Sequence, residues 1–192
     1  MTSLGRGDNF PNMQPLTPPS PAPRTPDPQD HILVAVDESA GYAKINGRGS
    51  YKVSSSMKSF AGRVIDLGKG RLVIDLHDCI GMDSTFMGVL AGVSQRLSRE
   101  CEGKVVVTGV SDKITNLMKT LGLSRLVEIH HDGSDESGQE YAALDNPGET
   151  PLESAETMLE AHENLVDIHE ENSLRFQDVL DYLRDDIQRH RG

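Results

Sequence analysis

Tryptophan is absent from this chain of 192 residues, and tyrosine and phenylalanine occur only four times each. Residues 31 to 130 carry 13 Lys or Arg against 10 Asp or Glu, whereas residues 131 to 192 carry 4 against 17. A nucleic-acid interface needs a strongly basic surface, commonly interleaved with aromatic side chains. The small basic excess in the middle and the acidic tail therefore predict that neither DNA nor RNA is a partner.

Long apolar runs and cysteines are also scarce. No stretch approaches the roughly 20 apolar residues that cross a bilayer, so an integral membrane protein is not expected, although a peripheral role stays open. The two cysteines, Cys79 and Cys101, lie in or beside apolar stretches, and the amino terminus has no apolar export segment. These features predict a cytoplasmic protein with reduced thiols.

The motifs of common active sites are missing as well. The chain has no Walker pattern, no Gly-x-Gly-x-x-Gly and no Gly-x-Ser-x-Gly. His130 and His131 fall in a polar segment, and His162 and His169 fall on an acidic helical pattern, where solvated side chains are expected rather than metal ligands. We therefore predict that the protein is not an enzyme and has no catalytic residues, metal or cofactor.

Composition divides the chain into four segments. Residues 1 to 30 hold eight of the ten prolines and few apolar residues, which predicts a disordered Pro-rich arm. Residues 31 to 130 contain the strand and helix patterns of a single domain, and residues 131 to 150 form a polar linker. Residues 151 to 192 form an acidic helical extension with a break at Asn172-Ser173. This extension either folds on the domain's own surface or forms a dimerising coiled coil or partner-docking helix.

The first half of the domain shows the alternation of strands and helices. Ile32 to Val36 and Tyr42 to Asn46 have strand patterns, and Gly47-Arg48-Gly49 is interpreted as a turn, so this pair predicts an edge hairpin. Apolar residues from Val53 to Ile65 recur at helical spacing, and Gly68-Lys69-Gly70 ends that helix before a strand at 71–76.

The second half repeats the pattern. A connecting segment, HDCIGMD, leads to a helix with a stripe from Phe86 to Leu97, and a buried strand follows at Lys104 to Thr108. Asp112 is predicted to cap a third helix, which ends at a left-handed Gly122, and 126–129 is the last strand. Strands that alternate with helices predict an α/β fold with a mostly parallel or mixed sheet.

The start of the second helix carries the chemistry of most interest. Asp83 is placed as the N-cap, which leaves Ser84 and Thr85 as the first helical residues. A phosphate there would lie at the positive end of the helix, where the dipole and the terminal N–H groups favour a dianion. A partner surface that docks against a neutral hydroxyl would then have to desolvate a dianion. Hydroxyl residues are also common at helix starts without any function.

The segment Asp83-Ser84-Thr85-Phe86-Met87-Gly88 resembles the signature of the STAS domain of anti-sigma factor antagonists. That signature places Asp-Ser-Ser/Thr-Gly-apolar-Gly at the head of a helix after a strand, and five of six positions agree. Phe86 stands where the family usually has glycine and puts a bulky ring into the first turn. The resemblance covers about 32–129, including the Gly-Leu turn after the third helix.

The resemblance implies a regulatory protein-binding domain. Ser84 corresponds to the phosphorylated serine, Thr85 is the secondary site, and the partner-binding residues are Asp83, Ser84, Thr85, Met87 and Gly88. The unphosphorylated form is expected to bind an anti-sigma factor or serine kinase-like protein, and a homodimer through the C-terminal helix is a further expectation. The alternative is a STAS scaffold or accessory subunit of a transporter or signalling complex that is not switched.

Overall fold

A computed structural model describes residues 30–131, 140–146 and 148–191. Within them the chain forms a single mixed sheet and five α-helices. In chain order the elements are β1 (His31–Val36), β2 (Gly41–Gly49), α1 (Tyr51–Asp66), β3 (Arg71–Asp75), β4 (Cys79–Met82), α2 (Ser84–Cys101), β5 (Lys104–Thr108), α3 (Asp112–Thr120), a 3-10 turn (Leu123–Arg125), β6 (Val127–His130), β7 (Ala142–Ala143), α4 (Pro151–Ile168) and α5 (Glu171–Arg191).

The sheet runs in the order β6-β5-β3-β2-β1-β7, and β4 pairs with the far end of β2. The pairs β2–β3, β3–β5 and β5–β6 are parallel, whereas β1 is antiparallel to both β2 and β7. Parallel neighbours need crossover connections, which α1, α2 and α3 supply. The prediction of an α/β fold with a mixed sheet packed by helices is therefore confirmed.

The core lies between the sheet and its helices. α1 and α2 pack against each other, and α1 contacts β1 and β2 while α2 contacts β5. The apolar residues of α1 recur at helical spacing and are buried, as the sequence pattern predicts. The largest fully buried side chains are Phe86, Ile45, Met57, Leu72, Ile74, Leu76, Met87, Leu90, Leu97, Ile114, Met118 and Leu123.

The predicted turn at Gly47-Arg48-Gly49 is wrong. These residues end β2 and pair with β4, and a register shift between Gly47 and Arg48 marks a bulge at the left-handed Gly47. The chain reverses earlier, where the Asp37 carboxylate accepts hydrogen bonds from the backbone N–H groups of Ser39 and Ala40 at 2.7 and 2.8 Å. Nor does β1 lie at the sheet edge, since β7 covers it.

Two helix boundaries also differ from the sequence predictions. The N-cap of α3 is Ser111, whose hydroxyl accepts from Ile114 N, and Asp112 is the first helical residue. The C-terminal extension breaks at His169 rather than at Asn172-Ser173, because His169 is extended (φ −153°) and Asn172 is buried inside α5. The left-handed conformation predicted for Gly122 is confirmed by its φ of 84°.

The acidic extension forms a helical pair, α4 and α5, that folds on the domain's own surface. α4 packs on α2, and α5 packs on α4. Thr150 and Glu153 form a capping box at the start of α4, with Pro151 as its first residue.

The homodimer stays a prediction, as do the four segment boundaries, and the Pro-rich arm up to residue 29 lies outside the described residues. None of the helices described has the length and apolarity to cross a membrane.

Candidate functional site at the start of α2

Asp83 is the N-cap of α2, as the sequence predicts, and it also caps a second helix. One carboxylate oxygen accepts a hydrogen bond from the backbone N–H of Phe86 at 2.9 Å, inside α2. The other oxygen accepts from the backbone N–H of Tyr51 at 2.8 Å, in the first turn of α1. The N-cap of α1, Ser50, makes no side-chain cap hydrogen bond of its own. One carboxylate therefore satisfies donors at the starts of two helices.

Ser84 contacts a histidine that lies 78 residues further along the chain. Its Oγ is 3.0 Å from Nε2 of His162, on α4. The Nδ1 atom of His162 is 2.7 Å from the carbonyl oxygen of Met158, which can only accept, so Nδ1 carries a proton. In the neutral imidazole Nε2 is then an acceptor and the Ser84 hydroxyl donates to it. The His162 side chain is 4% exposed and stands edge-on to the ring of Phe176, 4.9 Å away between centroids.

The glycines of α2 bring the backbone of α4 into direct contact with it. A Cβ atom at Gly88 would lie 2.0 Å from the carbonyl oxygen of Ala161, and a Cβ at Gly92 would lie 2.4 Å from Nδ2 of Asn164. The same Nδ2 donates to the Gly88 carbonyl at 3.3 Å. Only residues without a Cβ permit this approach. The face of α2 that begins at Ser84 is therefore covered by α4.

The predicted site residues divide by exposure. Asp83 and Ser84 are half-buried, whereas Thr85, Met87 and Gly88 are buried. Of the two hydroxyl residues that begin α2, Ser84 is therefore the more exposed one, since Thr85 is 5% exposed.

Phe86, the departure from the family signature, points into the core. It is fully buried, and its ring lies where a Cβ at Gly49 would approach within 2.8 Å. The bulky ring therefore packs on the end of β2 and forms no part of the exposed surface beside Ser84. Gly49 and Phe86 complement each other, because the glycine makes room for the ring.

His162 is the site residue that the sequence analysis misplaced. It was expected to be a solvated side chain on an acidic helix, and the structure buries it against Ser84. Its i, i+4 hydrogen bond to Met158 is compatible with either environment. No local signal in the sequence connects it with a serine in another segment.

Residues 31–135 match the family model described as the STAS domain. Anti-sigma-B factor antagonists of Listeria monocytogenes serovar 1/2a and Listeria innocua serovar 6a are each 40% identical to this chain over 58 residues, which is 30% of this chain and 50% of each relative. The chain thus matches about half the length of these curated relatives.

Solved structures of similar fold include the phosphorylated form of the Bacillus cell fate determinant SpoIIAA, which is 15% identical with a TM-score of 0.46 and covers 56% of this chain and 94% of that one. An anti-sigma factor antagonist from Mycobacterium paratuberculosis is 20% identical with a TM-score of 0.46, over 56% of this chain and 90% of that one.

Proposed function

The chain belongs to the STAS domain family, and from that premise we propose that it is a regulatory protein-binding domain of the anti-sigma factor antagonist type. Its unphosphorylated Ser84 surface binds an anti-sigma serine kinase or a similar regulator, and phosphorylation of Ser84 ends that binding. The observation that carries this proposal is Ser84 itself, a half-buried hydroxyl at the first position of a helix whose N-cap is held by Asp83.

The chemistry of the switch is a transfer from ATP supplied by the kinase. The Ser84 Oγ attacks the γ-phosphorus, the bond to the β-phosphate oxygen breaks, the hydroxyl proton passes to a base of the kinase, and ADP leaves. The product carries about −1.5 to −2 charges at pH 7. The positive end of α2 stabilises this charge, while the Asp83 carboxylate opposes it. A partner surface that packed on a neutral hydroxyl must then desolvate a dianion, which weakens binding.

The test uses the full chain, ATP and an anti-sigma serine kinase from the same cells. We expect phosphopeptide analysis to find the phosphate on Ser84, with Thr85 as the secondary site, and Ser84→Ala to abolish most of it. Titration calorimetry should give similar affinities for wild type and Ser84→Ala and a loss of at least about tenfold for Ser84→Asp. Ser98→Asp, at an exposed serine of the same helix, is the matched control and should bind normally. Equal affinity for all four proteins would refute a phosphorylation switch at Ser84.

A scaffold without a switch is the second function to test. The observation that favours it is the contact of Gly88 with the backbone of α4, together with the burial of Thr85 and Met87, because such packing is expected of a permanently occupied helix face. In that case the chain would co-purify with a transporter or signalling complex, and Ser84→Asp would leave the complex intact. Phosphate at Ser84 in protein recovered from its native cells would count against this alternative.

A further inference from the structure

The helical pair α4–α5 occupies the same face of α2 that the proposed partner must reach. We infer that this pair is a built-in competitor for the Ser84 face, which opens about Gly148 and thereby controls access to Ser84. The inference rests on the proposed function for the identity of the site, but the opening itself is a separate property of the chain.

In the closed arrangement, the contact between α2 and α4 includes the Ser84 hydroxyl oxygen, which is the atom that a kinase would phosphorylate. The Ser84 hydroxyl is engaged by His162 at 3.0 Å, a separation that leaves no space for a phosphoryl group or for a kinase side chain between the two residues. At Gly88 the backbone of α4 is in direct contact with α2. A partner therefore cannot dock on this face while α4 lies there.

Charge also disfavours a phosphate beneath the closed pair. Residues 150 to 191 contain eleven Asp or Glu against four Lys or Arg. A phosphoserine would place a dianion against this acidic element, where an uncharged hydroxyl now lies 3.0 Å from His162. Phosphorylation therefore favours the open arrangement.

The segment before α4 is bonded to the domain up to Asn146, and Gly148 is the hinge between it and α4. β7 pairs with β1, and Asn146 is tied to α1, because its Nδ2 donates to the Lys52 carbonyl at 2.9 Å and its Oδ1 accepts from Ser56 Oγ at 3.0 Å. Gly148 follows with φ +79° and has no atom within 4 Å of an added Cβ. The capping box at Thr150 then keeps α4 helical from its first turn. Rotation at Gly148 moves α4 while the chain up to residue 146 stays on the domain.

Near the junction of α4 and α5, one buried side-chain amide holds the helical pair on the domain. Nδ2 of Asn172 donates to the carbonyl oxygens of Leu121 and Leu165 at 3.0 and 2.8 Å, and the side chain is fully buried. This contact joins the start of α5 to the end of α3 and to α4. Apolar packing by Leu165, Phe176 and Leu180 completes the closed state.

Closure lowers the apparent affinity of a partner by the fraction of molecules that are open. If about 1% are open, the partner binds about 100-fold more weakly than it would bind a permanently open chain. The pair thereby sets the threshold concentration at which a partner or a kinase gains access.

Native-state hydrogen exchange on the full chain tests the opening without a partner. We expect amides of α4 and α5 to exchange through an opening that leaves β3 and β5 protected. Asn172→Ala should speed exchange in both helices on the order of tenfold or more, since two buried hydrogen bonds are lost, while β3 and β5 should still exchange more slowly than α4 and α5. Phe176→Leu is a second, milder variant with the same expected direction. Tyr182→Ala, at a tyrosine of α5 that is 63% exposed, is the control and should change nothing.

The kinase assay then tests the competition. Asn172→Ala and Phe176→Leu should each raise the rate of Ser84 phosphorylation by the same factor as the exchange rate of α4. Identical exchange of α4, α5 and β5 through global unfolding would overturn the inference, as would faster opening with an unchanged rate of phosphorylation. If no kinase modifies Ser84 in any variant, the proposed function fails, and the exchange data alone decide whether the pair opens.

Discussion

The double cap at Asp83 gives a prediction about stability that is independent of any partner. Asp83→Ala removes the acceptors of two backbone donors, Phe86 N–H in α2 and Tyr51 N–H in α1. Asp83→Asn keeps one acceptor oxygen and replaces the other with an NH2 group, which cannot accept. The two substitutions therefore distinguish the loss of one capping hydrogen bond from the loss of both.

The magnitude follows from the two hydrogen bonds. Loss of an N-cap costs about 1 kcal/mol, and a hydrogen bond to a charged group contributes about 1.5 to 3 kcal/mol. Because Asp83 is half-buried and both its contacts are short, we expect Asp83→Ala to lower the free energy of unfolding by about 2 to 4 kcal/mol. Asp83→Asn should lose about half as much.

Urea denaturation followed by far-UV circular dichroism measures this difference, since the chain has no tryptophan to report by fluorescence. Asp78→Ala is the matched control, because Asp78 is an exposed carboxylate five residues earlier, and it should change stability by no more than about 0.5 kcal/mol. An Asp83→Ala protein as stable as Asp78→Ala would refute the double cap. An Asp83→Asn protein as stable as wild type would show that the second oxygen contributes nothing.

Three further outcomes are expected. Gly88→Ala should lower the melting temperature, because its Cβ meets a backbone carbonyl of α4, whereas Gly62→Ala, at a roomier helical glycine, should be neutral or stabilising. Hydrogen bonds from backbone N–H groups lower the pKa of Asp37 from 3.8 to about 2. The contribution of Asp37 to the free energy of unfolding is therefore present above pH 4 and lost as pH falls towards 2. Urea denaturation should show that the free energy of unfolding depends less on pH across that window in Asp37→Asn than in the wild type. Burial raises the pKa of the Cys79 thiol, so iodoacetamide should modify the more exposed Cys101 first, as peptide mass mapping will show. Preferential modification of Cys79 would contradict the buried position.

Local patterns predicted the elements that depend on a few adjacent residues. The apolar spacing of α1, the cap at Asp83 and the left-handed Gly122 are all confirmed. β4 was missed because it has only four residues, and its pairing with the end of β2 is a contact between distant parts of the chain. For the same reason Gly47 looked like a turn residue, although it marks a bulge.

In the candidate site, too, local features could be predicted from the sequence and contacts between distant parts of the chain could not. Asp83 and Ser84 could be placed from the sequence, because a helix start has a local signature. Their partners could not be, since Tyr51 and His162 come from other elements, 32 and 78 residues away. The periodicity of α4 predicts that one of its faces is buried but does not indicate which surface buries it. The family model ends at residue 135, so the resemblance gave no placement for the extension.

The contact of α4 with Gly88 also has a consequence for the order of events during synthesis. The ribosome makes α2 before the helical pair that covers it, and the last apolar residues of that cover, such as Leu180, follow Gly88 by about 90 residues. At about 5 to 20 residues per second this interval lasts roughly 5 to 18 s. During that time a nascent chain presents Ser84 without its competitor. A kinase or chaperone that acts on the growing polypeptide therefore meets a different surface from the one that the finished protein displays.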